Sequence, residues 1–168
     1  MRNILKLILP AVAAAGLLSS MAARADSLNF VLTDPTEYTP SGTTIAFSAT
    51  VTAPLTNTGD VFLFGDSNNI TAPLTIDDSY YILNWPLDLI PGQSYSDVLF
   101  DVTVPAGTTP GDYTGSFTIE AYSAANPAID VTEPFDVVVT PEPSSILLLV
   151  TGLIGLAFVI RRRELIAS

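Results

Sequence analysis

Neither cysteine nor histidine occurs anywhere in the 168 residues, and between Asp26 and Thr140 there is no lysine or arginine either. Without cysteine no disulfide can brace the fold, so a stable domain must rest on its own apolar core. Without histidine or cysteine the common zinc sites and histidine-based triads are excluded. With no cation in the central stretch, nothing there can hold a phosphate or an oxyanion, and nucleic acid is not a partner. A glycine-rich phosphate loop is missing as well. What the stretch does carry is fifteen Asp and Glu, a formal charge of -15 against -11 for the whole chain. The six basic residues all sit near the ends: Arg2, Lys6, Arg24 and Arg161 to Arg163. Such a surface favours solubility, repels anionic lipid headgroups, and needs salt or bound cations to screen its own carboxylates.

The ends read as addresses. Arg2 and Lys6 precede an apolar stretch, Leu7 to Leu18, too short to span a bilayer comfortably. Ala23-Arg24-Ala25 places small residues where a signal peptidase inspects the chain. Residues 1–25 are therefore predicted to be a helical signal peptide, cut between Ala25 and Asp26. At the other end Pro141-Glu142-Pro143 is a stiff extended tripeptide, because each proline fixes its own φ and disfavours helix in the residue before it. Ser144 to Ile160 then runs for seventeen uncharged residues, the lower limit for a transmembrane helix, with Ser144 able to cap its start. Arg161, Arg162 and Arg163 close the run, and the positive-inside rule keeps them cytoplasmic. The expected precursor is a single-pass protein in the inner membrane with residues 26–140 facing outward.

The order Pro-Glu-Pro, apolar helix, arginine cluster over about Thr140 to Arg163 resembles the PEP-CTERM sorting signal of Gram-negative bacteria. The resemblance implies that an exosortase, a membrane-embedded cysteine transpeptidase, processes the tail. It further implies that Pro141, Glu142 and Pro143 are its recognition residues, and that Arg161 to Arg163 complete the signal over residues 141–168. Export across the envelope follows from it, often alongside extracellular polysaccharide. The implied partners are signal peptidase, exosortase and the inner membrane.

Between the ends the apolar residues alternate with period two. Ile45, Phe47, Ala49 and Val51 form one face, as do Val98, Phe100, Val102 and Val104. Tyr113, Gly115, Phe117, Ile119 and Ala121 make a third set, and Phe135, Val137 and Val139 a fourth. Less regular strands are predicted over Leu28–Leu32, Val61–Phe64 and Tyr80–Trp85, with no convincing helical period. Turn chemistry separates them at Pro40-Ser41-Gly42, Thr58-Gly59-Asp60, Pro91-Gly92 and Pro110-Gly111-Asp112. The prediction is an all-β fold: an antiparallel immunoglobulin-like sandwich of about seven strands, flanked by the signal-peptide helix and the C-terminal transmembrane helix. Pro91-Gly92 before one strand and Gly111-Asp112-Tyr113 opening another resemble the E–F corner of bacterial immunoglobulin-like and fibronectin-like modules. That makes Tyr113 a candidate tyrosine corner, its hydroxyl bonded to upstream backbone.

Signals for chemistry are sparse. Trp85, with Tyr80 and Tyr81, reads either as core packing or as an aromatic platform for a sugar ring. Calcium needs only oxygen ligands, and Asp66, Asn68, Asp77 and Asp78 lie in or near the connection from Phe64 to Tyr80. They lack the spacing and terminal Glu of an EF-hand loop, so turn-forming Asp and Asn in a solvated loop is the competing reading. No cofactor is expected beyond that calcium. The sequence predicts a non-enzymatic cell-surface or extracellular-matrix protein. A carbohydrate- or calcium-binding surface module centred on Asp66 to Trp85 is the alternative.

Overall fold

The computed structural model describes residues 25–141 and 147–156. Nine strands occur among them: β1 (Asn29–Leu32), β2 (Thr36–Pro40), β3 (Thr43–Thr52), β4 (Val61–Ile70), β5 (Thr75–Asp77), β6 (Asp88–Leu89), β7 (Ser94–Val104), β8 (Gly111–Tyr122) and β9 (Ile129–Thr140). They form two sheets, ordered β1-β3-β7-β5 and β2-β9-β8-β4-β6. All neighbours are antiparallel except β2, which runs parallel to β9 with Thr36 opposite Asp136 and Pro40 opposite Thr140. The reason is local. The chain leaves β1 at Leu32, crosses to the other sheet within three residues that include Pro35, and continues as β2. The Asp136 amide donates to the Pro35 carbonyl at 2.8 Å and secures the crossing. The purely antiparallel expectation is thus corrected to a mixed second sheet.

The long strands follow the predicted alternation. Phe47, Ala49 and Val51 of β3, Phe117, Ile119 and Ala121 of β8, and Phe135, Val137 and Val139 of β9 are all buried. Four phenylalanines join the sheets. Phe47 stacks on Phe100 at 5.0 Å, Phe100 stacks on Phe117 at 4.8 Å, and Phe135 lies 4.9 Å from both Phe47 and Phe100. Phe47 and Phe100 belong to one sheet and Phe117 and Phe135 to the other, so their rings fill the space between two layers. On the outer faces, hydroxyls pair across strands: Thr50 with Ser96 and Thr52 with Ser94 at 2.7 Å each, and Thr118 with Thr132 at 2.8 Å.

Three departures from the predicted pattern have physical causes. Leu99, placed on a polar face by strict alternation, is fully buried beside Phe100 because a bulge shifts the register between Phe47 and Ser48. Tyr80–Trp85 is not a strand. Ser79–Asn84 forms a short helix, α1, in which Tyr81 and Trp85, four apart, face the core while Leu83 between them is exposed. Pro86 then holds Trp85 in an extended conformation and ends the helix. Finally, β4 continues to Ile70. Asp66 to Asn69 therefore lie in a strand rather than a loop, paired with Ile119 to Ser116 of β8. Pairing with a long neighbour overrides their weak strand preference. With Tyr80–Trp85 lost and the short strands β2, β5 and β6 gained, which the period-two reading missed, the count goes from seven to nine.

Two details of chain reversal bear on the predicted corner. Gly42 and Gly92 have φ of 81° and 85°, conformations that favour glycine, at the predicted Pro40-Ser41-Gly42 and Pro91-Gly92 turns. The Tyr113 hydroxyl donates to the Thr109 carbonyl at 2.8 Å, four residues upstream at the start of β8.

Candidate functional site

The predicted ligand residues separate into two groups. β4 and the residue preceding α1 bring Asp66, Asn68 and Asp78 together: Asn68 Nδ2 donates to Asp66 Oδ2 at 3.3 Å and to Asp78 Oδ2 at 3.1 Å. Glu120 of β8 stands beside them, its Oε2 3.2 Å from where a side chain on Gly65 would begin. Burial, reinforced by the charges of Asp78 and Glu120, pushes the Asp66 carboxyl up to about 6. Asp77 turns elsewhere. It accepts hydrogen bonds from the Ser79 amide at 3.0 Å and from the Ser79 hydroxyl, which hold its carboxyl below the usual range. It also faces Asp101 across the β5–β7 ladder. Among the described residues no three acidic side chains converge as a metal site. Asp66, Asn68 and Asp78 thus come together, and Asp77 stands apart from them.

Trp85 is only 7% exposed. Its indole Nε1 donates to the Val98 carbonyl at 2.8 Å, and its ring meets Tyr95 edge-on at 5.3 Å and Tyr81 at 5.7 Å. So little of the ring reaches solvent that the core-packing reading is favoured over the platform. Tyr81 is buried too, and its hydroxyl donates to the Gly65 carbonyl at 3.1 Å. Burial, with Asp66 and Glu120 nearby, raises its phenol above the ordinary value. Of the predicted aromatic group only Tyr80 is exposed, and the exposed aromatics that pack on one another were not singled out in sequence. Phe62, Phe64 and Tyr122 are exposed, with Phe62 stacked on Tyr122 at 5.2 Å and Phe64 tilted against it at 5.7 Å. Only the β4–β8 register, Phe62 opposite Tyr122, brings them together, and one sequence does not display that register.

At the predicted signal-cleavage junction, Ala23 lies outside the described residues, Ala25 is exposed, and Asp26 is buried. Asp26 Oδ1 accepts from the Thr58 amide at 2.7 Å and from the Thr58 hydroxyl at 3.1 Å. The Asp26 carbonyl accepts from Asn126 Nδ2 at 3.0 Å. Ser27 and Asn57 exchange two more bonds, Ser27 amide to Asn57 Oδ1 at 3.1 Å and Asn57 Nδ2 to the Ser27 carbonyl at 2.7 Å. The Thr58 amide above all holds the Asp26 carboxyl below its ordinary value, against the cost of burial. The Ser123 hydroxyl and the Gly59 amide add to that bias, yet Oδ2 itself has no hydrogen-bond partner.

At the other end, β9 stops at Thr140 and Pro141 is exposed. Glu142, Pro143, Arg161, Arg162 and Arg163 lie outside the described residues. Residues 147–156 are helical. Ten residues rise about 15 Å, half of the roughly 30 Å hydrocarbon core. Among the described residues no helix is long and apolar enough to cross a membrane, and the rest of the predicted span, residues 144–146 and 157–160, lies outside the described residues.

Residues 139–163 match the PEP-CTERM protein-sorting motif. The matched span starts at the last two residues of β9 and takes in Pro141, the helical residues and the arginine cluster. The motif implies an exported protein that is processed by an exosortase, and it supports sorting at the membrane. Among curated proteins none matches the chain. One similar solved structure is a periplasmic chaperone, SfaE, at 12% sequence identity and a TM-score of 0.39. The likeness covers 68% of this chain and 58% of that one, so the chain spans less than two thirds of that structure's length.

Proposed function

We propose that the protein is a non-enzymatic component of the cell surface or extracellular matrix, exported through a signal peptide and handed to an exosortase by its C-terminal tail. The observation that carries this reading is the PEP-CTERM match over residues 139–163. In this reading signal peptidase cuts between Ala25 and Asp26, and the segment from Ser144 to Ile160 holds the precursor in the inner membrane. Arg161 to Arg163 stay cytoplasmic, and Pro141, Glu142 and Pro143 mark the site for the exosortase. The domain itself is read as an immunoglobulin-like sandwich. The sheet orders β1-β3-β7-β5 and β2-β9-β8-β4-β6 and the Tyr113–Thr109 bond support that assignment. A sandwich of this kind displays surface rather than enclosing a cleft, and its residues from Asp26 to Thr140 supply no cation for catalysis.

The test is fractionation of the producing cell with the chain intact and with Arg161, Arg162 and Arg163 replaced by serine. The intact chain should be shortened at its C-terminus and leave the inner membrane, while the replaced chain stays there as a precursor. Identical size and location of the two would refute the sorting role.

A further inference from the structure

Asp26 is 2% exposed, its Oδ1 is satisfied twice by Thr58, and its Oδ2 is buried with no hydrogen-bond partner. A buried carboxylate is costly unless its oxygens are paired, so an empty Oδ2 at this depth calls for a donor. The Ser123 hydroxyl and the Gly59 amide lie near enough to favour the charged carboxyl but close no hydrogen bond to Oδ2, and no lysine, arginine or histidine between Asp26 and Thr140 can supply a balancing charge.

We infer that the donor is the α-ammonium of Asp26 itself, created by removal of the signal peptide, and that the resulting buried charge pair latches the first mature residue onto the domain. The inference rests on the reading that cleavage falls between Ala25 and Asp26. Hydrolysis of that peptide bond consumes one water, leaves a carboxylate on Ala25 and places an ammonium on the Asp26 nitrogen. Covalent geometry keeps that nitrogen within about 5 Å of its own carboxylate. An amide in the precursor offers one neutral N–H there. The ammonium offers three donors and a full positive charge, in a setting where water screens it less.

The surroundings keep the new terminus in place. Asn126 Nδ2 grips the Asp26 carbonyl, 100 residues away in sequence, and the paired bonds between Ser27 and Asn57 fix the next residue. The same bonds bury the residue on the C-terminal side of the scissile bond. Cleavage must therefore come before the Asn57–Thr58 and Asn126 segments close over it. The charge that seals the domain thus becomes available only once the leader has gone.

The test compares three versions of the chain in mild detergent by urea unfolding: residues 26–168 with a free amine, the same chain acetylated at its N-terminus, and residues 23–168. Each is made with Asp26 and with Asp26→Asn. The free amine should raise the folding equilibrium constant about tenfold over both blocked forms, the worth of one charge-assisted hydrogen bond. Asp26→Asn should abolish the difference. Equal constants for free and acetylated chains, or a difference that survives Asp26→Asn, would overturn the latch. Should Asp26→Asn not fold, the free-against-acetylated comparison decides alone. Mass spectrometry of the exported protein reads the cleavage position separately. A natural start other than Asp26 overturns the cleavage reading and the latch's role with it, whereas a start at Asp26 with equal constants overturns only the latch.

Discussion

Replacing Asp66 by Asn should stabilise this protein at neutral pH. In the folded chain Asp66 keeps its proton up to about pH 6, because it is partly buried and faces Asp78 and Glu120. In the unfolded chain it releases the proton near the ordinary carboxylate value of about 4. Between those limits the native state binds more protons than the unfolded state, so stability falls as pH rises through the window. A shift of about two units sets a ceiling of roughly 3 kcal/mol. Asp66 is only partly buried, so solvent screens the charges of Asp78 and Glu120, and the expected gain is about 1 kcal/mol. Asn keeps an oxygen for the bond from Asn68, so little is lost in exchange. For a domain of this size the gain is about 4 °C in melting temperature. Thermal melts of both chains at half-unit steps from pH 4 to pH 8 test it. The curves should coincide near pH 4 and separate through pH 6, with Asp66→Asn the more stable. Parallel curves over the whole range would show that the carboxylates do not interact as the geometry requires.

Three further substitutions probe other parts of the fold. Tyr113→Phe removes the hydroxyl that donates to Thr109 and should cost about 1 kcal/mol in urea unfolding, with no change of strand content by circular dichroism. Gly115→Ala puts a methyl 2.4 Å from the Phe135 ring and 2.8 Å from the Asn69 carbonyl, so a loss of about 1–3 kcal/mol is expected from overpacking. Asp101, opposite Asp77 in the ladder, is raised by burial and then by the Asp77 charge, so the folded chain holds its proton more tightly than the unfolded chain does. Asp101→Asn should accordingly raise the urea midpoint at pH 7 and leave it unchanged below the ordinary carboxylate range.

The long strands were legible because their burial is one-sided and continuous. Phe47, Ala49 and Val51 or Phe135, Val137 and Val139 can share a face only in a strand, and all are buried. The Tyr113 corner was legible because its bond reaches only four residues. What was not legible depends on partners distant in sequence. Asp66 to Asn69 look like a loop on their own and become strand only against β8, some fifty residues later. Tyr81 and Trp85 carry a helical spacing, but a single i,i+4 pair next to Pro86 is too short to stand out as a period. Phe62 and Tyr122 form a surface stack only through a register that one sequence cannot display. The same holds at the N-terminal junction. Small residues before Asp26 mark a cleavage site, but nothing local announces that Asp26 contacts Thr58 and Asn126.

The position of β9 has a mechanical consequence. It leads straight into Pro141 and is hydrogen-bonded along its length, to β8 on one side and, from Asp136 to Thr140, to the parallel β2 on the other. Tension entering through the tail therefore runs along the strand and loads both ladders in shear, so that many bonds must yield together. Pulling an edge strand sideways would instead open its bonds one at a time. A domain tethered through β9 is harnessed by one of its best-held strands, and single-molecule stretching between Asp26 and Pro141 should show one high rupture force rather than a gradual unzipping.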